Sequence, residues 1–274
     1  MVFHMMASIN QYCKLLGDSA QWGGAEVPVL IQLFRSVITE FNNLVGVSPS
    51  EPLFVQHGLL GHPRIERNLI GCVISLSAKG QFWPKYVYEF AHEYCHYLIG
   101  VPMESKKETT FWFEETICNL ASLFFLRRMA VCWKAYDLEL VPNKQEQEVL
   151  SLLKTAAPNN EFFLQFHLNE NPRIDKLLPD WIESKMPILS QPEYQREMYN
   201  QMAVVLFDLF ETNPDLWRVI PYLSRPSSDE YTDFRSFITK TIPQRISCAI
   251  EPFYLLVKTL TGDDLSAKDV EDGR

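Results

Sequence analysis

Residues 92 to 96 read His-Glu-Tyr-Cys-His, and their types and spacing could support metal chemistry. Residues four apart lie on one face of a helix, so His92 and His96 could present two imidazoles to one ion. Zinc accepts neutral imidazole nitrogens, usually in a tetrahedral arrangement. Glu93, next to the first histidine, could take a proton from a water at such a metal. The segment therefore predicts a hydrolytic zinc site with His92 and His96 as ligands and Glu93 as catalytic base.

The elements that must position these residues are two consecutive helices. Pro84 suits the first turn of a helix that ends at Gly100, and the next helix is predicted from about Thr110 to Trp133. The second helix carries Glu114 and Glu115 among aromatic residues. Burying two adjacent acids is costly unless a cation satisfies at least one of them. A zinc ion between the two helices would do so.

The sequence around the histidines resembles the gluzincin metallopeptidases, most closely their aminopeptidase-N-like branch. Ala91–Gly100 reads AHEYCHYLIG, which is similar to the AHExxHxxxG segment of that family. In this branch eighteen residues separate the second histidine from a glutamate within a W-L-N-E segment. Here residues 97–114 fill that interval, and Trp112–Glu115, WFEE, stands in the place of W-L-N-E. The resemblance implies Zn²⁺ as the cofactor, Glu115 as the third metal ligand and hydrolysis of a peptide or protein substrate.

Outside this segment the resemblance, which covers about Gly71 to Leu126, is partial. Tyr199 precedes an apolar run as the oxyanion-stabilising tyrosine of the family does, which implies a catalytic role for Tyr199. Asn119 stands where thermolysin-like members place an aspartate that supports a zinc histidine. The Gly-x-Met-Glu-Asn motif is absent, and Gly71–Leu76 takes the place of that edge strand. The resemblance therefore implies peptide binding along this strand, without support for aminopeptidase specificity.

The resemblance and the pattern of elements together predict an α+β fold. We expect a small antiparallel sheet over the two metal helices, followed by an all-α part that closes the cleft. The predicted domains are a zincin-like catalytic domain over residues 1–140, a helical domain over residues 141–262 and an acidic, flexible tail over residues 263–274.

Several of these residues also have ordinary explanations. The histidine motif could be a coincidence on an amphipathic helix, and Glu114 is best explained as a solvated acid favoured by the helix dipole. Tyr199 could be a core tyrosine, and His57 and His62 are expected to be exposed loop residues. The main alternative function is a non-catalytic or regulatory protein that retains a gluzincin-like metal-binding scaffold. A helical interaction protein with a fortuitous motif is a third possibility, and it requires that no divalent metal binds.

Composition and charge restrict the classes of partner. The chain has 47% hydrophobic and 22% charged residues, which is typical of globular proteins. Its formal net charge of −9 argues against non-specific binding to nucleic acid or to an anionic membrane surface. Its six cysteines form no CxxC pair and have mostly apolar neighbours, so we expect buried free thiols, Cys95 included. With no signal-peptide pattern at the start, the sequence predicts a cytoplasmic protein.

Periodicity and punctuation predict the remaining elements. A helix is predicted over Val27–Val45, with Gly46 ending it, and strands over Leu53–Gln56 and Leu69–Leu76 with a loop between them. Further helices are predicted over Lys144–Thr155, Pro172–Met186, Pro192–Phe210, Asp215–Leu223, Glu230–Thr239 and Glu251–Leu260.

Overall fold

The computed structural model describes residues 6–49, 51–100, 110–132, 174–191, 195–223, 233–241 and 251–263. Within these ranges a small five-stranded sheet is combined with a mostly helical remainder, so the predicted α+β class is confirmed. The predicted helix over Lys144–Thr155, the boundary near residue 140 and nearly all of the predicted tail lie outside the described residues. No helix in the described ranges is both long enough and apolar enough to cross a membrane.

The sheet is mixed, and the prediction of an antiparallel sheet is wrong. The strand order is β1-β2-β3-β5-β4, with parallel pairing of β2 to β3 and of β3 to β5. Only the outer pairs, β1 with β2 and β4 with β5, are antiparallel. The strands are β1 Met6–Ser8, β2 Cys13–Leu16, β3 Leu53–His57, β4 Arg64–Asn68 and β5 Gly71–Leu76.

Strand β5 lies inside the sheet, so the prediction that Gly71–Leu76 is the edge strand is wrong. It pairs with β3 on one side and with β4 on the other, which makes β4 the edge. The stretch HGLLGHPRIERN, whose Gly, Pro and His residues predict a loop, forms strand β4 over its last five residues. At the start of β5, Gly71 has φ 134°, and a side chain there would collide with the carbonyl oxygen of Pro52.

Helix α1, Val27–Val45, has the predicted bounds because both of its ends are marked in the sequence. Pro28 occupies the first turn, where its missing N–H costs nothing, and Gly46 ends the helix with φ 77°. The buried face carries apolar residues at helical spacing, and each large side chain buried there contributes about 1.5–3 kcal/mol.

Helices α2, Trp83–Ile99, and α3, Phe111–Cys132, pack against each other and carry the predicted metal residues. Pro84 lies in the first turn of α2, as predicted, and the helix ends at Gly100. Helix α3 is apolar around its whole circumference, which is typical of a helix surrounded by protein. Among its described side chains only those of Arg127 and Arg128 are exposed.

The helices after α3 agree with the prediction in type more than in their bounds. The segment predicted as a helix over Asp215–Leu223 is a 3₁₀ helix. The described part of the helix predicted over Glu230–Thr239 is a short helical turn that continues as a π-helical segment. The elements are α4 Ile174–Leu189, α5 Arg196–Thr212, the 3₁₀ helix Pro214–Tyr222, the turn Phe234–Ser236, the π-helical segment Phe237–Thr241 and α6 Glu251–Thr261.

An aromatic cluster joins the late helices to the early ones. Trp217 of the 3₁₀ helix has its ring centroid 5.3 Å from that of Phe41 in α1, 5.0 Å from that of Phe124 in α3 and 4.9 Å from that of Phe210 in α5. All of these side chains belong to one continuous core of buried residues. The described helices of the C-terminal half therefore pack on the same core as α1 and α3.

A closed triangle of hydrogen bonds fixes α2 against α1 and the β1–β2 connection. The hydroxyls of Tyr12 and Tyr94 lie 2.8 Å apart, the Asn42 amide nitrogen donates to Tyr12 at 2.8 Å, and Tyr94 donates to the Asn42 amide oxygen at 2.8 Å. Tyr94 is fully buried, so these bonds replace the water that its hydroxyl loses on folding.

Replacing Tyr94 by Phe should lower the free energy of unfolding by about 1–3 kcal/mol, because it leaves Tyr12 and Asn42 short of a buried partner. Denaturant unfolding measures the change. Tyr254→Phe is the matched control, since no such network forms at the Tyr254 hydroxyl on α6 among the described residues and the ring contact with Phe253 is kept. Equal stability of the two variants would contradict a stabilising role for the triangle.

Candidate metal centre

The three predicted metal ligands lie together between α2 and α3. His92 and His96 project from α2 one turn apart, and Glu115 projects from α3 towards both rings. The helices are held in register by Ser122, whose hydroxyl donates to the carbonyl oxygen of Tyr88 at 2.9 Å. A ligand atom from each of His92, His96 and Glu115 lies within 4.8 Å of the other two. The structure therefore brings together the residues that the sequence placed at a metal.

The start of α2 is anchored to the end of β5 by a buried carboxylate. Glu89 accepts hydrogen bonds from the Ser77 amide at 2.7 Å, from the Ala78 amide at 3.0 Å and from the Ser77 hydroxyl. Lys85 lies 3.5 Å from the same carboxylate. Glu89 precedes Glu93 by one turn, so this anchor fixes the part of α2 that carries the site. The sequence analysis did not identify it.

The spacing of the ligand atoms is compatible with one shared metal ion. The Nε2 atoms of His92 and His96 lie 3.3 Å apart, Oε2 of Glu115 lies 3.5 Å from His92 Nε2, and Oε1 of Glu115 lies 3.3 Å from His96 Nε2. Bonds of about 2.0–2.2 Å in a tetrahedron place neighbouring ligand atoms about 3.3–3.6 Å apart. The two imidazole nitrogens and the carboxylate are thus close enough together to hold one metal ion.

Burial makes the charges of this cluster depend on one another. The side chains of His92 and His96 are each 12% exposed and that of Glu115 is 9% exposed. Burial by itself would lower the pKa of His96, but its hydrogen bonds with Glu114 and Glu115 raise that pKa well above its usual value. Burial would raise the pKa of Glu115, and hydrogen bonds with both histidines lower it strongly instead. The cluster therefore favours positive charge beside Glu115, which a divalent cation supplies.

Glu93 is buried beside the three ligands. It is 4% exposed, and burial raises the pKa of its carboxyl. The charges of His92 and His96 lower that pKa while Glu115 raises it, so the carboxylate lies within electrostatic reach of all three. A carboxylate whose pKa is raised by burial binds a proton more readily than one in water, which suits a base that must hold and pass on a proton.

Glu114 is buried, and its interpretation as a solvated acid is wrong. The residue is 7% exposed, and its Oε1 lies 2.8 Å from Nδ1 of His96. It therefore contacts the ring nitrogen opposite the one that faces Glu115. The sequence carried a signal for this, because an acid between Phe113 and Glu115 in an apolar helix has little access to water.

Tyr199 and Asn119 are both buried, and they differ in their interactions. Tyr199 of α5 is fully buried; burial raises the pKa of its phenol, a hydrogen bond with the Gln195 backbone lowers it, and the charge of Glu115 raises it. The charge of Glu115 therefore acts on the phenol. Asn119 is 3% exposed, and its amide nitrogen has no hydrogen-bond partner in the described part of the chain.

The remaining candidates lie away from the ligands. Cys95 is buried on the side of α2 that contacts Cys118 of α3, as expected of a core thiol. His62 is exposed, as predicted. His57 is partly buried at the end of β3, where its ring meets the edge of Trp22, so the expectation of an exposed residue is wrong for it.

Comparisons with known proteins do not identify a family for this chain, so the function is inferred from the geometry of the site. No family model, no curated protein and no solved structure matches the chain.

Zinc should bind the metal-free protein at one site and raise its melting temperature, because a ligand that binds only the folded state stabilises that state. Glu115→Gln should weaken zinc binding by about 100-fold or more, since even residues behind the ligands contribute about 10–100-fold. Isothermal titration calorimetry measures both the stoichiometry and the affinity. His62→Ala is the control, as it removes an exposed histidine. Unchanged zinc affinity in Glu115→Gln would remove Glu115 from the ligand set.

Proposed function

We propose that this protein is a zinc-dependent metallopeptidase of the gluzincin type, which hydrolyses peptide bonds. The observation that carries the proposal is the convergence of His92, His96 and Glu115 between two packed helices, with one ligand atom from each residue within 4.8 Å of the other two. Glu93 lies beside them, in the order along α2 that the family motif requires. A zinc ion held by these three residues would polarise the scissile carbonyl and make a water molecule more acidic.

Glu93 acts as the general base and then as the general acid. Its carboxylate removes a proton from the attacking water, retains it and delivers it to the amine that leaves as the C–N bond breaks. Burial favours the protonated form of this carboxyl, as described above, so the proton stays on Glu93 between the two steps. The surrounding side chains exclude bulk water and keep the carboxylate next to the ligands.

Tyr199 stabilises the negative charge that develops on the carbonyl oxygen. Its phenol is buried where the charge of Glu115 acts on it, and burial keeps it protonated as a hydrogen-bond donor. A fixed donor in a site shielded from water stabilises a developing oxyanion more than a solvated donor does.

One edge of the sheet offers a place for an extended peptide. Strand β4 forms this edge, no further strand of the described residues pairs with it, and α2 contacts both β4 and β5. A substrate strand that pairs with β4 would pass alongside the helix that carries His92 and His96. This placement favours a peptide or protein substrate over a compact small molecule.

Glu93→Gln should retain zinc affinity and lose about 100-fold to 10,000-fold in turnover, because Gln keeps the shape of Glu93 and cannot accept the proton. A library of peptides of diverse sequence, incubated with zinc-loaded protein and analysed by mass spectrometry, measures cleavage. Glu26→Gln removes an exposed carboxylate at the start of α1 and serves as the control.

Full activity of the Glu93→Gln protein on a substrate of the wild type would overturn the proposed mechanism. Zinc binding by a wild type that cleaves no peptide would instead identify a non-catalytic metal-binding scaffold.

Tyr199→Phe should lower kcat by about 100-fold with little change in zinc affinity, because loss of one oxyanion donor typically has an effect of this size. Steady-state kinetics on a peptide found in the library provide the measurement, and Tyr254→Phe is the control for loss of a hydroxyl elsewhere. A kcat equal to that of the wild type would assign Tyr199 to the core alone.

A further inference from the structure

We propose that Glu114 is a positioning residue that holds the His96 ring with Nε2 turned towards the metal. This inference rests on the zinc binding proposed above and deepens it. It concerns a residue that belongs neither to the three ligands nor to the groups that act on the substrate.

The two nitrogens of His96 have different partners. Nδ1 lies 2.8 Å from Oε1 of Glu114, whereas Nε2 lies 3.3 Å from Oε1 of Glu115 and 3.3 Å from Nε2 of His92. A carboxylate beside Nδ1 accepts a hydrogen bond from an N–H at that position. A neutral imidazole with its proton on Nδ1 has its lone pair on Nε2, which is the form that binds a metal.

Glu114 cannot join Glu115 as a ligand while it makes this contact. The Nδ1 and Nε2 lone pairs of an imidazole point away from each other, so a carboxylate bonded at Nδ1 lies on the far side of the ring from the metal. Successive residues of a helix point about 100° apart, which lets Glu114 reach one side of the ring and Glu115 the other. The adjacent acids therefore have separate functions.

Burial makes the contact strong enough to orient the ring. Glu114 is 7% exposed and the His96 side chain is 12% exposed, so water competes little for either group. Hydrogen bonds with a charged partner are about twice as strong as neutral ones, and they strengthen further where the surroundings are less polar. A rotated His96 ring would leave a buried carboxylate without this donor.

Asn119, where the resemblance places a partner of a zinc histidine, is buried, and its amide nitrogen has no hydrogen-bond partner among the described residues. The carboxylate seen beside a ligand histidine comes from the residue before the third ligand, and it contacts the second histidine.

The test compares zinc affinity among Glu114→Ala, Glu114→Gln and the control Glu26→Gln, by competition with a chromogenic chelator. Glu114→Ala should bind zinc about 10–100-fold more weakly than the wild type. Glu114→Gln should lose less, because its amide oxygen still accepts a hydrogen bond from Nδ1, and it keeps the side-chain volume if the Ala variant does not fold. Glu26→Gln removes the same charge from an exposed position and should bind as the wild type does.

A second measurement follows the ring itself. Long-range ¹H–¹⁵N spectra of the zinc-loaded wild type should show His96 protonated at Nδ1 and bound through Nε2, and Glu114→Gln should shift the Nδ1 signal. Zinc affinities of both Glu114 variants within twofold of a zinc-binding wild type would overturn this inference and leave the proposed function intact. Weaker zinc binding by these variants, together with no peptide cleavage by the wild type, would support the role of Glu114 and overturn the peptidase. A wild type that binds no zinc would overturn both.

Discussion

The candidate centre depends on the burial of acidic side chains of α3 against two imidazoles of α2. Removing a carboxylate from water costs several kcal/mol even after the protein relaxes. This cost is a large fraction of the free energy of unfolding of a typical domain. Glu114 and Glu115 offset this cost through contacts with His96 and His92, with the shortest at 2.8 Å. Such an arrangement is sensitive to the loss of any one partner, and a divalent cation completes it better than a single proton does.

The rest of the fold fixes α2 on several sides so that this contact can persist. Glu89 ties its first turns to the end of β5, and Ser122 ties the carbonyl of Tyr88 to α3. On another face, Tyr94 joins Tyr12 and Asn42. Since Tyr94 lies between the two histidines in sequence and points away from the ligands, α2 separates a face that stabilises the fold from a face that carries the chemistry. A substitution at Tyr94 should therefore affect the stability of the fold, whereas a substitution at His92 or His96 should affect metal binding.

The sequence predicted helices better than strands, and for a physical reason. The bounds of α1 and α2 are marked by Pro28, Pro84, Gly46 and Gly100, and α3 is marked by its long apolar run. The short strands β1, β2 and β4 have little local signal, because a strand of three to five residues depends on pairing with a neighbouring strand, which for β2 includes the distant β3. The site shows the same contrast between local and long-range signals. The spacing of His92, His96 and Glu115 is visible in the sequence. The contact of Glu114 with His96 and the triangle around Asn42 depend on how the helices pack.

The position of the sheet edge changes which residues can meet a substrate. The family resemblance assigned peptide alignment to Gly71–Leu76, but β5 has both of its edges occupied by β3 and β4. Any extended peptide that adds to this side of the sheet must pair with β4, where Arg64 and Glu66 form an exposed ion pair. A charged edge discriminates among peptides by their own charges, whereas an apolar edge would select for hydrophobic residues. Under the proposed function, substrate preference would therefore depend on a segment that the family motif does not cover as well as on the metal residues.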